Sequence, residues 1–313
     1  MIEVRGLTKR FGATVALDDV TFDVSAGEVL GFLGPNGAGK TTAMRIITCY
    51  ISQDGGTVRV DGLDTTTQSV QVRRRIGYLP ESAPLYQDMG VIDYLGFIGR
   101  IRGLEAPRLR ARIDEMVTVC GLTRMAHRTI GTLSKGFCQR VGLAQTLIHD
   151  PEVLILDEPT TGLDPNQIVE IRDLIKQIGQ KKTVLLSTHI LPEVEATCTR
   201  VLIVNEGRLV ASGTPHELAA QSQGGTRIFL TVKAVPETVE PVLRGSGVVR
   251  DLRLAGTPDG RARYEIGSDA DEPEAALFQL AVQHHWVLTE LRRESISLEQ
   301  VFTRLTTRET VVR

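Results

Sequence analysis

Val29–Thr42 reads VLGFLGPNGAGKTT, five apolar residues that run into a glycine-rich turn and leave it through a lysine and two threonines. A continuous apolar run of this length has the composition of a strand buried on both faces. Beyond Thr42 the apolar positions Ala43, Ile47 and Tyr50 keep helical spacing. A strand, a turn of the form GxxxxGKT and a helix are together the context that a P-loop requires. Within Gly34, Pro35, Asn36, Gly37, Ala38 and Gly39 the glycines let the backbone curl, so that successive N–H groups and the helix N-terminus point at phosphate oxygens. Lys40 adds a fixed cation, Thr41 a hydroxyl for Mg²⁺, and Thr42 completes the motif. A ligand-free strand-to-helix turn is the competing reading, and the presence of every motif position counts against it.

The rest of the 313 residues has room for this motif and for more than one domain, with 42% hydrophobic residues available for cores. A formal charge of -2 gives no global basic excess, so nucleic acid is disfavoured as a partner. The cysteines Cys49, Cys120, Cys138 and Cys198 form no CxxC pair and fit neither a zinc cluster nor a disulfide framework, which suits a reducing cytosol. No stretch approaches the roughly 20 apolar residues of a membrane-spanning helix, and MIEVRGLTKR lacks a signal-peptide core. Any link to a membrane is expected to run through a partner.

Up to about Gly213, short β-branched runs alternate with helical-period segments, the pattern of an α/β sheet. Residues 1–220 are therefore expected to form one domain with a helical insertion over about 82–150, where the strand signal vanishes and Arg100–Cys120 carries helical spacing. QSQGG, 221–225, is expected as a linker. Residues 226–313 are expected to form a small α+β domain, ferredoxin-like from its strand, helix, strand, strand, helix, strand order. It holds no catalytic constellation; His284 and His285 are expected on its surface, with Trp286 beginning a strand.

Three further stretches carry chemistry. VLILDEPTTGLD, Val153–Asp164, brings Asp157 and Glu158 to the end of a buried strand. Alone, that is better read as a solvated acidic pair. Beside a P-loop, Asp157 is the Mg²⁺ partner, through water, and Glu158 the base for an attacking water. TLSKGFCQRVGLAQTLI, Thr132–Ile148, puts Ser134 and Gly136 at the mouth of a helix with the apolar stripe Phe137, Val141, Ala144 and Ile148. That is either a Ser-capped core helix or a second phosphate-binding terminus. YLPESAPLY, 78–86, runs an apolar strand end into Glu81, which is open to reading as a loop residue, a metal ligand or a hinge contact.

Over about Met1–Glu217, these motifs in this order resemble the nucleotide-binding subunit of ATP-binding cassette (ABC) transporters. The resemblance implies a P-loop ABC ATPase domain, α/β, with a mixed sheet core and a helical subdomain. In that family two such domains sandwich two ATP molecules, each P-loop facing the signature helix of the other subunit. Carried over by position, Phe11 in KRFGATVAL matches the aromatic that stacks on adenine, and Ser134 and Gly136 match the signature contacts to the γ-phosphate. Asp164 matches the loop that crosses the dimer interface, and His189 in LLSTH matches the switch histidine. Read from the residues alone, His189 is a polar loop group and Phe11 a core residue.

Two positions depart from the usual family pattern. The signature is LSKGF instead of LSGGQ, so Lys135 and Phe137 replace a glycine and a glutamine. Glu81 stands at the hinge position where a glutamine is usual, and remains a candidate Mg²⁺ contact through a bound water.

YLPE, LSKG, STHILPEVE and ISLEQVFTRLT look like ATPase subunits paired with type-2 ABC permeases, the wording of YLPESAPLY and LSKGFCQRVGLAQ being most similar to gliding-motility-associated subunits. The implied protein is an ATP hydrolase and translocase with ATP and Mg²⁺, a homodimer or a pair with a similar ATPase, bound to an integral-membrane permease on the cytoplasmic face of the cell membrane. Two other classes compete with this one. Soluble ABC ATPases acting on DNA carry long coiled coils between P-loop and signature, and translation factors carry two cassettes; this chain has neither feature. A non-hydrolytic nucleotide-binding module is opposed by the intact Lys40, Thr41, Asp157, Glu158 and His189.

Overall fold

The computed structural model describes residues 1–221, 226–270, 272–294 and 298–306. Contacts divide the chain into two compact units, one formed by Met1–Pro215 with the segment from Phe302, the other by His216–Val301. The expected linker lies outside the described residues except for Gln221.

The first unit opens with the antiparallel pair β1 (Ile2–Phe11) and β2 (Thr14–Val24), followed by β3 (Val29–Leu33), α1 (Lys40–Ile47), β4 (Gly55–Val60) and the short β5 (Leu63–Asp64). β2, β1, β4 and β5 make one antiparallel sheet in that order. Then come α2 (Ser69–Arg75), β6 (Ile76–Leu79), α3 (Val91–Ile101), α4 (Ala106–Val119) and α5 (Lys135–Leu147). The remainder is β7 (Val153–Asp157), α6 (Pro165–Gly179), β8 (Thr183–Thr188), α7 (Leu191–Thr197), β9 (Arg200–Asn205), β10 (Arg208–Gly213) and α8 (Pro215–Gln221). The second sheet has the order β10-β9-β3-β8-β7-β6, parallel except for the β9–β10 hairpin.

β3, β7 and β8 are buried at every residue, as their unbroken apolar runs require. One cluster, including Leu30, Phe32, Met44, Ile46 and Leu185, ties α1 to both sheets, each such side chain contributing about 1.5–3 kcal/mol by burial. α1 ends at Ile47, so Tyr50 lies beyond it, 74% exposed, and is not part of the helical stripe. The helical spacing of Arg100–Cys120 is carried by two helices, the end of α3 and α4, separated by a turn at 102–105.

The second unit contains β11 (Thr226–Lys233), α9 (Pro236–Gly245), β12 (Asp251–Gly256), β13 (Ala262–Ser268), α10 (Pro273–Gln283) and β14 (Val287–Glu294). The four strands form an antiparallel sheet of order β12-β13-β11-β14, the split βαβ arrangement. α9 runs through Pro241, a proline inside the helix. His284 and His285 are exposed; Trp286 precedes β14 and stacks on His284. α11 (Leu298–Thr306) closes the described chain.

Candidate functional site

Parallel strands present their carboxyl ends at one edge of a sheet, and that edge is where open α/β sheets bind ligands. Here the edge gathers residues far apart in sequence. The P-loop leaves β3, His189 follows β8, Asp157 ends β7 with Glu158 directly after it, and Glu81 follows β6, on four strands adjacent in the order β3-β8-β7-β6. A cleft of ≈ 590 Å³ opens there, walled by Asn36, Gly37, Gly39 and Lys40–Thr42 on one side and by Glu81, Glu158, Thr161 and His189 on the other. Gly39 has φ 103°, and a Cβ on it would lie 2.5 Å from the Ala16 carbonyl oxygen, so the turn into α1 admits only glycine.

Lys40 is 6% exposed and all three of its ammonium donors are engaged. It donates to the carbonyls of Gly34 (2.7 Å) and Pro35 (3.2 Å) and pairs with Glu158 Oε1 at 3.3 Å. The other oxygen of Glu158 accepts from His189 Nδ1 at 2.8 Å and from the Thr161 hydroxyl at 3.3 Å. An ionised carboxylate only accepts, so the proton of that imidazole contact sits on Nδ1. Glu158 has φ 48°, a left-handed conformation that costs a non-glycine residue energy. Its N–H is held by the Ser187 hydroxyl (3.0 Å) and carbonyl (3.2 Å).

Asp157 is fully buried. Its Oδ1 accepts from Ser187 Oγ at 2.5 Å and from Thr41 Oγ1 at 3.3 Å, while Oδ2 has no hydrogen-bond partner. Desolvation pushes its pKa up; the Ser187 and Thr41 hydrogen bonds oppose that shift and the Glu158 charge adds to it. A buried carboxylate with an unused oxygen beside a hydroxyl is a donor set suited to a hard cation or its water shell.

The other expected residues lie apart from this cleft. Ser134 is the N-cap of α5, accepting from the Phe137 N–H at 3.5 Å, and Asp164 is the N-cap of α6, accepting from the Gln167 N–H at 3.0 Å. Gly136 is buried against the Gln167 side chain, whose Cδ would lie 2.5 Å from a Cβ at that position. Phe11 ends β1 with its ring 52% exposed and the Lys9 ammonium 5.4 Å from its centroid. None of these four lines the cleft.

Comparison with known proteins resolves what such a site belongs to. Residues 17–161 match the model of the ABC transporter family. The daunorubicin resistance ATP-binding protein DrrA3 of Streptomyces coeruleorubidus is 40% identical over 262 residues, covering 82% of this chain and 83% of its own. This chain belongs to the ABC transporter ATP-binding family. The linearmycin resistance ATP-binding protein LnrL of Bacillus subtilis (strain 168) is 31% identical over 98% of this chain and 99% of its own. Among solved structures, an ATP-binding subunit of an ABC transporter superposes with TM-score 0.65 at 30% identity, covering 71% of this chain and 92% of that one. A dimeric ATP-binding cassette in a post-hydrolysis state with ADP and Pi gives TM-score 0.63 at 25% identity, covering 68% and 98%.

As an ABC ATPase, the chain binds and hydrolyses ATP. Thr14, Val15 and Ala16 also line its cleft and were not singled out from the sequence. They begin β2, directly after the Phe11 turn, so the signal was their position in KRFGATVAL. Ser187 was missed as well: it reads as an ordinary polar residue inside a buried strand, yet it contacts both Asp157 and Glu158.

Proposed function

We propose that this ATPase drives export through an integral-membrane permease of the type-2 class, working as a pair of like ATPase subunits on the cytoplasmic face of the membrane. The observation that carries the ATPase half is the convergence of Lys40, Thr41, Asp157, Glu158 and His189 on one sheet edge. The export half is supported by the names of relatives, which speak of daunorubicin resistance and of linearmycin resistance.

In this reading the phosphates of ATP enter along Gly37–Thr42 and compete for the Lys40 ammonium now donated to the loop's own carbonyls. Phe11, with an exposed ring, offers a face for adenine. Releasing Lys40 frees one oxygen of Glu158 to act as general base, while His189 orients the other through Nδ1. Thr41 and Asp157, with Glu81 through water, would hold Mg²⁺, which supplies charge neutralisation to the phosphates when bound. Ser134, Gly136 and Asp164 lie off the cleft and serve a second chain's nucleotide. Glu81 sits between the sheet edge and the helical insertion, where contact with the permease would be felt.

Co-purification tests this directly. The full-length chain should bring down a membrane protein from its native membranes and show Mg²⁺-dependent ATP turnover stimulated by that partner. Recovery with ribosomes or DNA in place of a membrane subunit would refute the export reading.

A further inference from the structure

The His216–Val301 unit has a cavity that the ATPase chemistry leaves unused. It measures ≈ 680 Å³, within the range of pockets for small organic ligands, and opens where the chain beyond β11, the first turns of α9 and the β12–β13 connection meet. Its apolar wall is Val235, Pro236 and Leu254, with Val235 and Leu254 exposed. Its polar wall is Glu237 and Glu240, one turn apart on α9. Like charges at that spacing repel, and neither carboxylate has an ion-pair or hydrogen-bond partner among the described residues. The helix dipole favours Glu237, which lies in the first turn, but Glu240 lies beyond that turn.

The floor of the cavity carries an unpartnered polar group. Tyr264 is fully buried and its hydroxyl has no hydrogen-bond partner, although a buried phenol ordinarily finds one. Tyr264 stands opposite Leu254 in the β12–β13 register, so its side chain shares the sheet face that Leu254 brings to the cavity. The phenol also lies in the field of both glutamates: burial pushes its pKa up to about 12, with the charges of Glu240 and then Glu237 adding to the rise. The hydroxyl is thus directed at the two carboxylates that line the cavity.

We propose that this cavity is a binding site for a small primary ammonium carried on an apolar body. The ammonium sits between Glu237 and Glu240 and donates to both, its third N–H is accepted by the Tyr264 oxygen, and the body covers Val235, Pro236 and Leu254. A bare metal ion would leave that apolar wall uncovered, and the described residues contain no group of three His, Cys, Asp or Glu side chains placed to hold one. The site lies wholly within the second unit and is independent of the export reading.

The test is isothermal titration calorimetry of the full-length chain with 2-phenylethylammonium. Two controls accompany it: 2-phenylethanol, which keeps the body without the charge, and ethylammonium, which keeps the charge without most of the body. The aromatic amine should show saturable binding at least about tenfold tighter than either control. Glu240→Gln should weaken it about tenfold, the effect of one lost charge-assisted hydrogen bond, and the double variant Glu237→Gln, Glu240→Gln should abolish saturation. Tyr264→Phe keeps the buried ring and should weaken amine binding about threefold to tenfold. The far-UV circular dichroism of each variant should match the parent; if Tyr264→Phe does not fold, the glutamine variants decide the matter. No saturable binding of the amine, equal affinity for the amine and either control, or unchanged affinity in the double variant would overturn the proposal.

Discussion

The two lysine-led helix termini of the ATPase unit differ in how they are satisfied. At α1 the groups violate local preferences together: a buried lysine, a glutamate at φ 48° and a buried aspartate with an unused oxygen hold one another in place. At α5 and the neighbouring start of α6 the expected residues obey local rules, with Ser134 capping α5, Asp164 capping α6 and Gly136 making room for Gln167. The first end is a site within one chain, built under strain; the second makes its caps with ordinary geometry and no such strain.

The largest effect should come from breaking the strained end. Lys40→Met leaves Glu158 buried without its cation, a loss of about 3–5 kcal/mol for such pairs, and should weaken ATP binding by more than about a hundredfold in equilibrium titration. Nearly normal affinity would erase the distinction between the two ends. The satisfied end should respond differently. Asp164→Ala removes a cap of about 1 kcal/mol and should lower the thermal midpoint by about 2–4 °C without changing ATP binding by the single chain. A drop in single-chain ATP affinity would place Asp164 in the cleft.

A smaller change is expected at Glu81, which lines the cleft but is exposed. Glu81→Gln should keep ATP binding and most basal turnover, within about a factor of three, while shifting the Mg²⁺ dependence or the response to the permease. Complete loss of hydrolysis would mean that Glu81 and Glu158 are assigned the wrong way round.

A separate effect lies away from both ends and supplies a baseline for stability. Burial pushes the His149 pKa down to about 4, with Arg102, Arg112 and Lys182 adding to the shift and the Ile76 carbonyl, 3.1 Å away, opposing it. The folded state therefore keeps His149 neutral. Its contribution to stability is complete above its ordinary value of 6.5 and is lost as pH falls toward about 4. Thermal unfolding across that window should be less pH-dependent in His149→Gln than in the parent.

Sequence legibility followed the same division. The P-loop and the Asp157–Glu158 pair were readable because each sits in a short stretch at the end of an apolar strand, and parallel pairing then brings such ends to one edge; His189 was singled out only through the family resemblance. The β10-β9-β3-β8-β7-β6 order was not readable, since any of these buried runs could neighbour any other. Ser187 and the β2 wall of the cleft were missed for that reason: their importance comes from which strand lies beside them. Tyr50 shows the opposite error, a helical spacing that continues by chance past the true end of α1.

The central claim is that Glu158, between Lys40 and His189, is the base for ATP hydrolysis. The most direct test is Mg²⁺-dependent turnover by the Glu158→Gln variant of the full-length chain, with bound nucleotide measured in parallel. Turnover should fall by about 10²–10⁴-fold, the usual contribution of a positioned general base, while ATP stays bound and chains accumulate as dimers. Turnover equal to the parent would contradict the account.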